Sequence, residues 1–155
     1  MGVEIERKFL VTGESWRRAA TRSVPMWQGY LAEAGKASTR IRLEGTVARL
    51  NIKAAVVGSM RTEYEYEIPA EDAQHMLETL CVATLRKVRH YVPNGAHEWE
   101  VDVFEGDNAG LVMAEIELRS PDEAFERPRW LGPEVTENRR YYNHALALHP
   151  YSRWK

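Results

Sequence analysis

Glu4-Ile5-Glu6-Arg7-Lys8, inside the run from Val3 to Val11, decides how the rest of the chain is read. Side chains alternate faces along a β-strand, so Glu4, Glu6 and Lys8 share one face. Val3, Ile5, Phe9 and Val11 fall on or near the other. Arg7 interrupts that apolar face, which points to an edge or a neighbouring loop. Taken alone, two carboxylates and an ammonium on one face read as a solvated strand carrying an ion pair. A solvated face, however, usually mixes in Thr, Ser and Gln, and the rest of the chain repeats the device.

Working outward, Val24–Ala32 reads as extended, with Gly29 marking a bulge or a close approach by another segment. Ser38–Gly45 places Arg40 and Arg42 opposite Ile41 and Leu43. Ala48–Ala54 alternates Arg49, Asn51 and Lys53 with Leu50 and Ile52. Arg61–Ile68 sets Glu63, Glu65 and Glu67 against Tyr64, Tyr66 and Ile68. Thr84–Val92 places Lys87, Arg89 and Tyr91 against Val88, His90 and Val92. His97–Phe104 places Glu98, Glu100 and Asp102 against Trp99, Val101 and Val103. Leu111–Arg119 places Glu115 and Glu117 against Ala114, Ile116 and Leu118. Turn chemistry at Gly45-Thr46, Val57-Gly58-Ser59 and Pro93-Asn94-Gly95 makes hairpins of these strands.

The spacing of Ala73, Met76, Leu77 and Leu80 predicts a helix over Glu71–Leu80, with acidic Glu71 and Asp72 where the macrodipole favours them. Ser120–Pro133 reads as irregular. Thr136 reads as the N-cap of a final helix over Glu137–Leu148.

The charges come in blocks, strand by strand, acid-acid-Lys on the first and then Arg-x-Arg, Lys, Glu-x-Glu, Lys-x-Arg, Glu-x-Asp and Glu-x-Glu, and the opposite faces are thick with Trp, Tyr, Ile, Val and Leu. Both facts fit a closed sheet with charge inside and apolar residues outside under helices. The fold class expected is α+β, mainly β: an eight-stranded antiparallel closed barrel, as one domain over residues 1–155. Its lumen would be a tunnel. The acids named there are Glu4, Glu6, Glu63, Glu65, Glu100, Asp102, Glu115 and Glu117. The bases are Lys8, Arg40, Arg42, Lys53, Lys87 and Arg89. Removing that many like charges from water is unfavourable unless opposite charge binds. Carboxylate pairs suit a hard cation, Mg²⁺ or Mn²⁺, and Arg and Lys pairs suit phosphate oxygens. The combination points to a polyphosphate carried with a divalent metal.

The 155 residues carry 21 basic and 23 acidic side chains, a net charge of −2, which weighs against nucleic acid held by bulk electrostatics. Cys81 is the only cysteine, so neither an intrachain disulfide nor a thiolate zinc cluster is possible; a buried structural thiol is expected. The charged N-terminus lacks an apolar leader, and no stretch approaches a membrane span. A reducing cytoplasm is the expected compartment. The five histidines show no ligand spacing. Trp16, Trp130 and Trp154 either cap the fold or mark an interface.

With these residues in view, the chain resembles the CYTH superfamily, the triphosphate tunnel metalloenzymes. The resemblance runs from Glu4-x-Glu6-x-Lys8 through Gln28-Gly29-Tyr30-Leu31, Arg40-x-Arg42, Lys53, Glu63-x-Glu65, Lys87-x-Arg89, Glu100-x-Asp102 and Glu115-x-Glu117. It ends on Val135-Thr136-Glu137-Asn138-Arg139-Arg140-Tyr141. It implies a triphosphate tunnel and metal-dependent hydrolysis. Glu4, Glu6, Glu115 and Glu117 become metal ligands. Glu63, Glu65, Glu100 and Asp102 form a second acidic set for a further metal or for water. Lys8, Arg40, Arg42, Lys53, Lys87 and Arg89 hold phosphates. Arg139 or Arg140 closes one mouth, and Arg139 is counted with the substrate-binding bases. Glu4, Glu6 and Lys8 are expected to be catalytic, Lys8 electrostatically, with Tyr30 assisting by hydrogen bonding against the plainer reading of a core tyrosine.

Hydrolysis of inorganic tripolyphosphate to pyrophosphate and phosphate is the leading expectation, in a monomer or homodimer without nucleic acid or membrane. The alternatives are a class IV adenylate cyclase, a thiamine or nucleoside triphosphatase, and a non-catalytic polyphosphate-binding module. The last has no use for paired carboxylates.

Overall fold

A computed structural model of the chain describes residues 2–154. The strands are β1 (Gly2–Val11), β2 (Arg22–Tyr30), β3 (Ala37–Glu44), β4 (Val47–Ala54), β5 (Met60–Ile68), β6 (Ala83–Asn94), β7 (His97–Phe104), β8 (Val112–Glu117) and β9 (Leu131–Glu134). The helices are α1 (Ala70–Thr79) and α2 (Asn143–Leu148), with short 3₁₀ turns between strands and in the tail. All pairings are antiparallel, in the order β5-β4-β3-β2-β6-β7-β8-β1-β9. A further β5–β1 pairing closes the first eight into a barrel.

The opening strand is the seam. Its first half pairs with β5, from Gly2↔Glu63 to Ile5↔Met60. Its second half pairs with β8, from Glu6↔Glu117 to Leu10↔Met113. Beyond β5, the same edge is taken by β9 through Phe9↔Glu134 and Val11↔Leu131. This ninth strand lies in the stretch expected to be irregular. It is four residues long and contains Gly132 and Pro133, so it has no alternation to detect. Gly132 allows the approach: a Cβ there would stand 2.8 Å from the Leu10 carbonyl oxygen.

Outside the barrel, Phe9, Trp99, Val101, Ala114 and Ile116 pack under Trp16, Leu118 and Trp130. Trp16 and Trp130 are thus core of this chain, while Trp154 stacks edge-on with Tyr141 and Tyr151. Arg7 points outward over the Phe9 and Phe125 rings and pairs with Glu134, which explains a charge on the apolar face. Ala73 and Leu77 of α1 cover Ile41 and Ala48. Leu80 falls past the helix end and is exposed, contrary to expectation. The helices also leave part of the outer sheet uncovered at Val3, Met60 and Tyr66. Gly29 is the close approach its position suggested, since a Cβ there would lie 2.7 Å from Cys81 Sγ. Cys81 itself is half-buried and not fully buried as expected.

The continuous final helix does not form. Thr136 is no cap: its hydroxyl accepts from the Lys8 amide at 3.0 Å and donates to Glu134 at 2.6 Å. Asn138 instead caps a 3₁₀ turn at Arg139–Tyr141. Tyr142 is extended, held by its hydroxyl, which donates to the Thr136 carbonyl at 2.6 Å and accepts from the Gly58 amide at 3.0 Å. Only then does α2 begin. The inward positions Leu10, Leu85, Phe104 and Met113 continue the charged rows as apolar ones, and Val135 and Leu146 of the tail pack onto them. The tail thereby covers one end of the barrel. No helix among the described residues is long and apolar enough to cross a membrane.

Candidate active site

The inward face encloses a cavity of about 350 Å³. Strand alternation carries nearly every expected residue to it: Glu4, Glu6, Lys8, Tyr30, Arg40, Arg42, Lys53, Glu63, Glu65, Lys87, Arg89, Glu100, Glu115 and Glu117. Arg139 lines it from the tail, whereas Arg140 turns away and stacks 3.7 Å over Trp154.

Register sorts the lining by charge. Where β1 meets β8, Glu6 stands opposite Glu117 and Lys8 opposite Glu115. Glu4, Glu6 and Glu117 each bring a carboxylate oxygen within 4.8 Å of the others. Burial and then Glu115 push Glu6 up from the usual carboxylate range, and burial with Glu6 and Glu4 does the same to Glu117. This wall holds more negative charge than it neutralises. Three hard oxygen donors in a strained acidic cluster fit a Mg²⁺-like cation.

The other wall is basic. Tyr30 stands opposite Arg40, Gln28 opposite Arg42, and Arg42 opposite Arg49. Burial, then Arg40 and Arg89, pulls Arg42 down to about 10. The Arg40 Nε is buried without a hydrogen-bond partner. Glu44, 2.6 Å from the Arg42 Nε, and Glu65 offset part of this charge, but Arg40, Arg42 and Arg49 share these two carboxylates, which leaves room for an anion.

Between the walls the bases are held in place by acids. Lys8 Nζ sits 3.1 Å from Glu6 and 3.0 Å from Glu115. Burial opposes its charge, but Glu115 and Glu6 more than offset this and hold it well above the ordinary lysine range. Glu115 is correspondingly depressed, burial being outweighed by Lys8 and Arg89. Lys53 lies 2.8 Å from Glu4. Glu65 accepts from Asn51 at 2.9 Å and lies 3.8 Å from Arg40. Glu100 pairs with Arg89 at 2.8 Å, yet burial raises it to about 7.

Asp102, expected among the metal-binding acids, is not in the cavity lining. It lies fully buried behind the bases, taking Arg89 at 2.8 and 2.9 Å and Lys87 at 2.8 Å. Burial raises its pKa, but Arg89 and Lys87 more than reverse this. Lys87, with only a share of that carboxylate, is drawn down to about 8 by burial.

Sequence reading missed three residues. Arg61 lines the cavity 3.5 Å from Glu4 and 3.9 Å from Glu6, with its guanidinium over Tyr142. Its signal was present, two residues before Glu63 on the same strand face. Arg49 reaches between Glu44 and Glu65. Asn143 lines the cavity from the start of α2, a placement hidden while that segment reads as one long helix.

Residues 2–146 match the family model for the CYTH domain. An inorganic triphosphatase of Acetivibrio thermocellus is 41% identical over 156 residues, covering 100% of this chain and 99% of that protein. An inorganic triphosphatase of Nitrosomonas europaea is 37% identical over 150 residues, covering 94% and 97%. A crystal structure of an inorganic triphosphatase superposes with a TM-score of 0.69 at 35% identity, over 94% of this chain and 97% of its own. Charged barrel, family match and full-length relatives agree: the chain belongs to the CYTH domain family.

Proposed function

We propose that this protein hydrolyses inorganic tripolyphosphate to pyrophosphate and phosphate, using Mg²⁺ or Mn²⁺ held by Glu4, Glu6 and Glu117. The observation that carries this reading is the division of one cavity into an acidic cluster with surplus negative charge and a facing row of arginines, one of which buries an Nε without a partner. A triphosphate with its cation satisfies both at once. Full-length relatives named inorganic triphosphatases support the substrate.

When bound, the cation lowers the pKa of the attacking water and offsets charge building on the phosphoryl oxygens. Arg40 and Arg42 take the phosphate oxygens, with Lys53, Lys87, Arg89 and Arg139 around them. Lys8, kept protonated by Glu6 and Glu115, donates to developing charge and does not serve as a base. Glu63, Glu65, Glu100 and Asp102 hold these bases in position, which is the use we assign to the second acidic set, and Glu115 does the same for Lys8 in place of the metal role expected of it. A reducing cytoplasm suits a chain with one unpaired cysteine, and the reading requires neither nucleic acid nor membrane.

The test is product analysis of purified protein with tripolyphosphate or ATP and either cation. Phosphate release from tripolyphosphate without cyclic AMP from ATP is expected. No release from tripolyphosphate overturns the reading, and cyclic AMP with pyrophosphate would make the protein a cyclase.

A further inference from the structure

Lys87 Nζ donates to Asn143 Oδ1 at 2.7 Å. An ammonium is a donor only, so the Asn143 atom facing it has to be the oxygen. The same Oδ1 lies 3.1 Å from Gln28 Nε2, so Gln28 turns its NH₂ towards it. That NH₂ also reaches the Tyr30 hydroxyl at 3.2 Å. With a donor fixed on that side, the Tyr30 oxygen accepts, and its own hydrogen must leave in another direction. Tyr30 lines the cavity.

A separate observation agrees. Gln28 is fully buried, and its Oε1 has no partner. Rotating the amide would give Oε1 the Tyr30 hydrogen, but would press it against Asn143 Oδ1. The amide keeps an unsatisfied acceptor because the oxygen of Asn143 is already committed to Lys87.

We infer that Gln28 and Asn143 are positioning residues, which fix the Tyr30 hydroxyl as a donor into the cavity, towards a phosphate oxygen of the substrate. The inference rests on the tripolyphosphate reading. It also ties the donor to the docked tail, since Asn143 opens α2.

Two near-isosteric variants separate orientation from mere packing. Q28E and N143D each add one carboxylate at the same buried spot, so their electrostatic burden is shared. N143D keeps an acceptor facing Lys87 and Gln28. Q28E replaces the donor with an acceptor and turns the Tyr30 hydrogen back to the wall. Each is made alone and with Y30F. The kcat and KM for tripolyphosphate are measured, with calorimetric binding of tripolyphosphate in EDTA.

Q28E is expected to lower kcat/KM about 10- to 100-fold, the scale of one hydrogen bond to a charged group. In Y30F that loss is expected to shrink to the level of N143D. N143D is expected to cost less than about fivefold on the same scale. Metal-free affinities should follow the same order. Equal Q28E losses with and without the Tyr30 hydroxyl would overturn the inference, as would N143D matching Q28E. Should Q28E not fold by circular dichroism, N143L releases Gln28 instead, and its loss must be smaller in Y30F, the remainder being that of the acceptor taken from Lys87. A wild type inactive on tripolyphosphate refutes the substrate reading alone; the binding series in EDTA still tests the orientation.

Discussion

Replacing Asp102 with Asn changes one atom and removes the only carboxylate shared by Lys87 and Arg89. All three side chains are out of water, with residue exposures of 0% for Asp102, 1% for Lys87 and 6% for Arg89. Breaking a buried ion pair from one side costs about 3–5 kcal/mol, because the stranded charge keeps its desolvation penalty. Lys87 is the cation stranded here, since Arg89 keeps Glu100 at 2.8 Å and Glu115 at 3.7 Å. A loss within that range is therefore expected. For a chain of this length, each kcal/mol moves Tm by about 2–4 °C, so D102N should melt roughly 6–20 °C below wild type. The assay is urea unfolding and calorimetry in EDTA. Adding tripolyphosphate should recover part of the loss by returning negative charge to Lys87 and Arg89. D102N within about 1 kcal/mol of wild type in EDTA, on the same buried-pair scale, would refute the counter-ion role. A loss seen only once Mn²⁺ is present would make Asp102 a metal ligand after all.

Glu117 should behave in the opposite way: E117Q relieves repulsion with Glu4 and Glu6, so metal-free stability should hold or rise, while the Tm increase given by Mn²⁺ is largely lost in a thermal-shift titration. Glu134 is held below the usual carboxylate range by its bond from Arg7. A carboxylate depressed in the folded state stabilises above its unfolded pKa and loses that contribution as pH falls through the folded one. The gap between wild type and R7M should thus be at most about 1 kcal/mol near neutrality, since the pair is partly exposed, and should narrow from about pH 5 downward in urea titrations. G29A drives a methyl to 2.7 Å from Cys81 Sγ and 2.9 Å from Thr84 Cγ2, for a loss of about 1–3 kcal/mol. Adding C81A should return part of that stability, as read by urea unfolding.

The barrel was legible because period-two alternation survives in seven of its eight strands, β2 reading only as extended, and because the charges come in blocks strand by strand. The same alternation delivered the cavity lining: a residue two positions from a lining residue on one strand has to face the same way. That rule also explains the error over Asp102. Alternation says which face a side chain leaves from, but not whether a longer neighbour crosses in front of it, as Arg89 does. The tail was illegible for a different reason. Thr136 followed by polar residues and then Tyr141, Ala145 and Leu146 looks like a capped helix, and locally nothing contradicts it. What breaks the helix is the grip on Tyr142 by Gly58 and the Thr136 carbonyl, the first of them 84 positions away in the chain. Leu131–Glu134 could pair only because β1 offered an edge, and its own residues carry no sign of it.

The divided pairing of β1 bears on the order in which the protein is made. Among the barrel's strands this one is made first, but its barrel partners extend to Glu117 in β8, more than a hundred residues later, and β9 follows at Glu134. At 5–20 residues per second the wait is about 5–20 s. During it, Glu4, Glu6 and Lys8 stand on a strand whose β8 edge is open to other nascent chains. Charge along an open strand is a deterrent to edge-to-edge association. The side chains that later meet metal and phosphate therefore guard the newborn chain against its neighbours before there is any cavity for them to line.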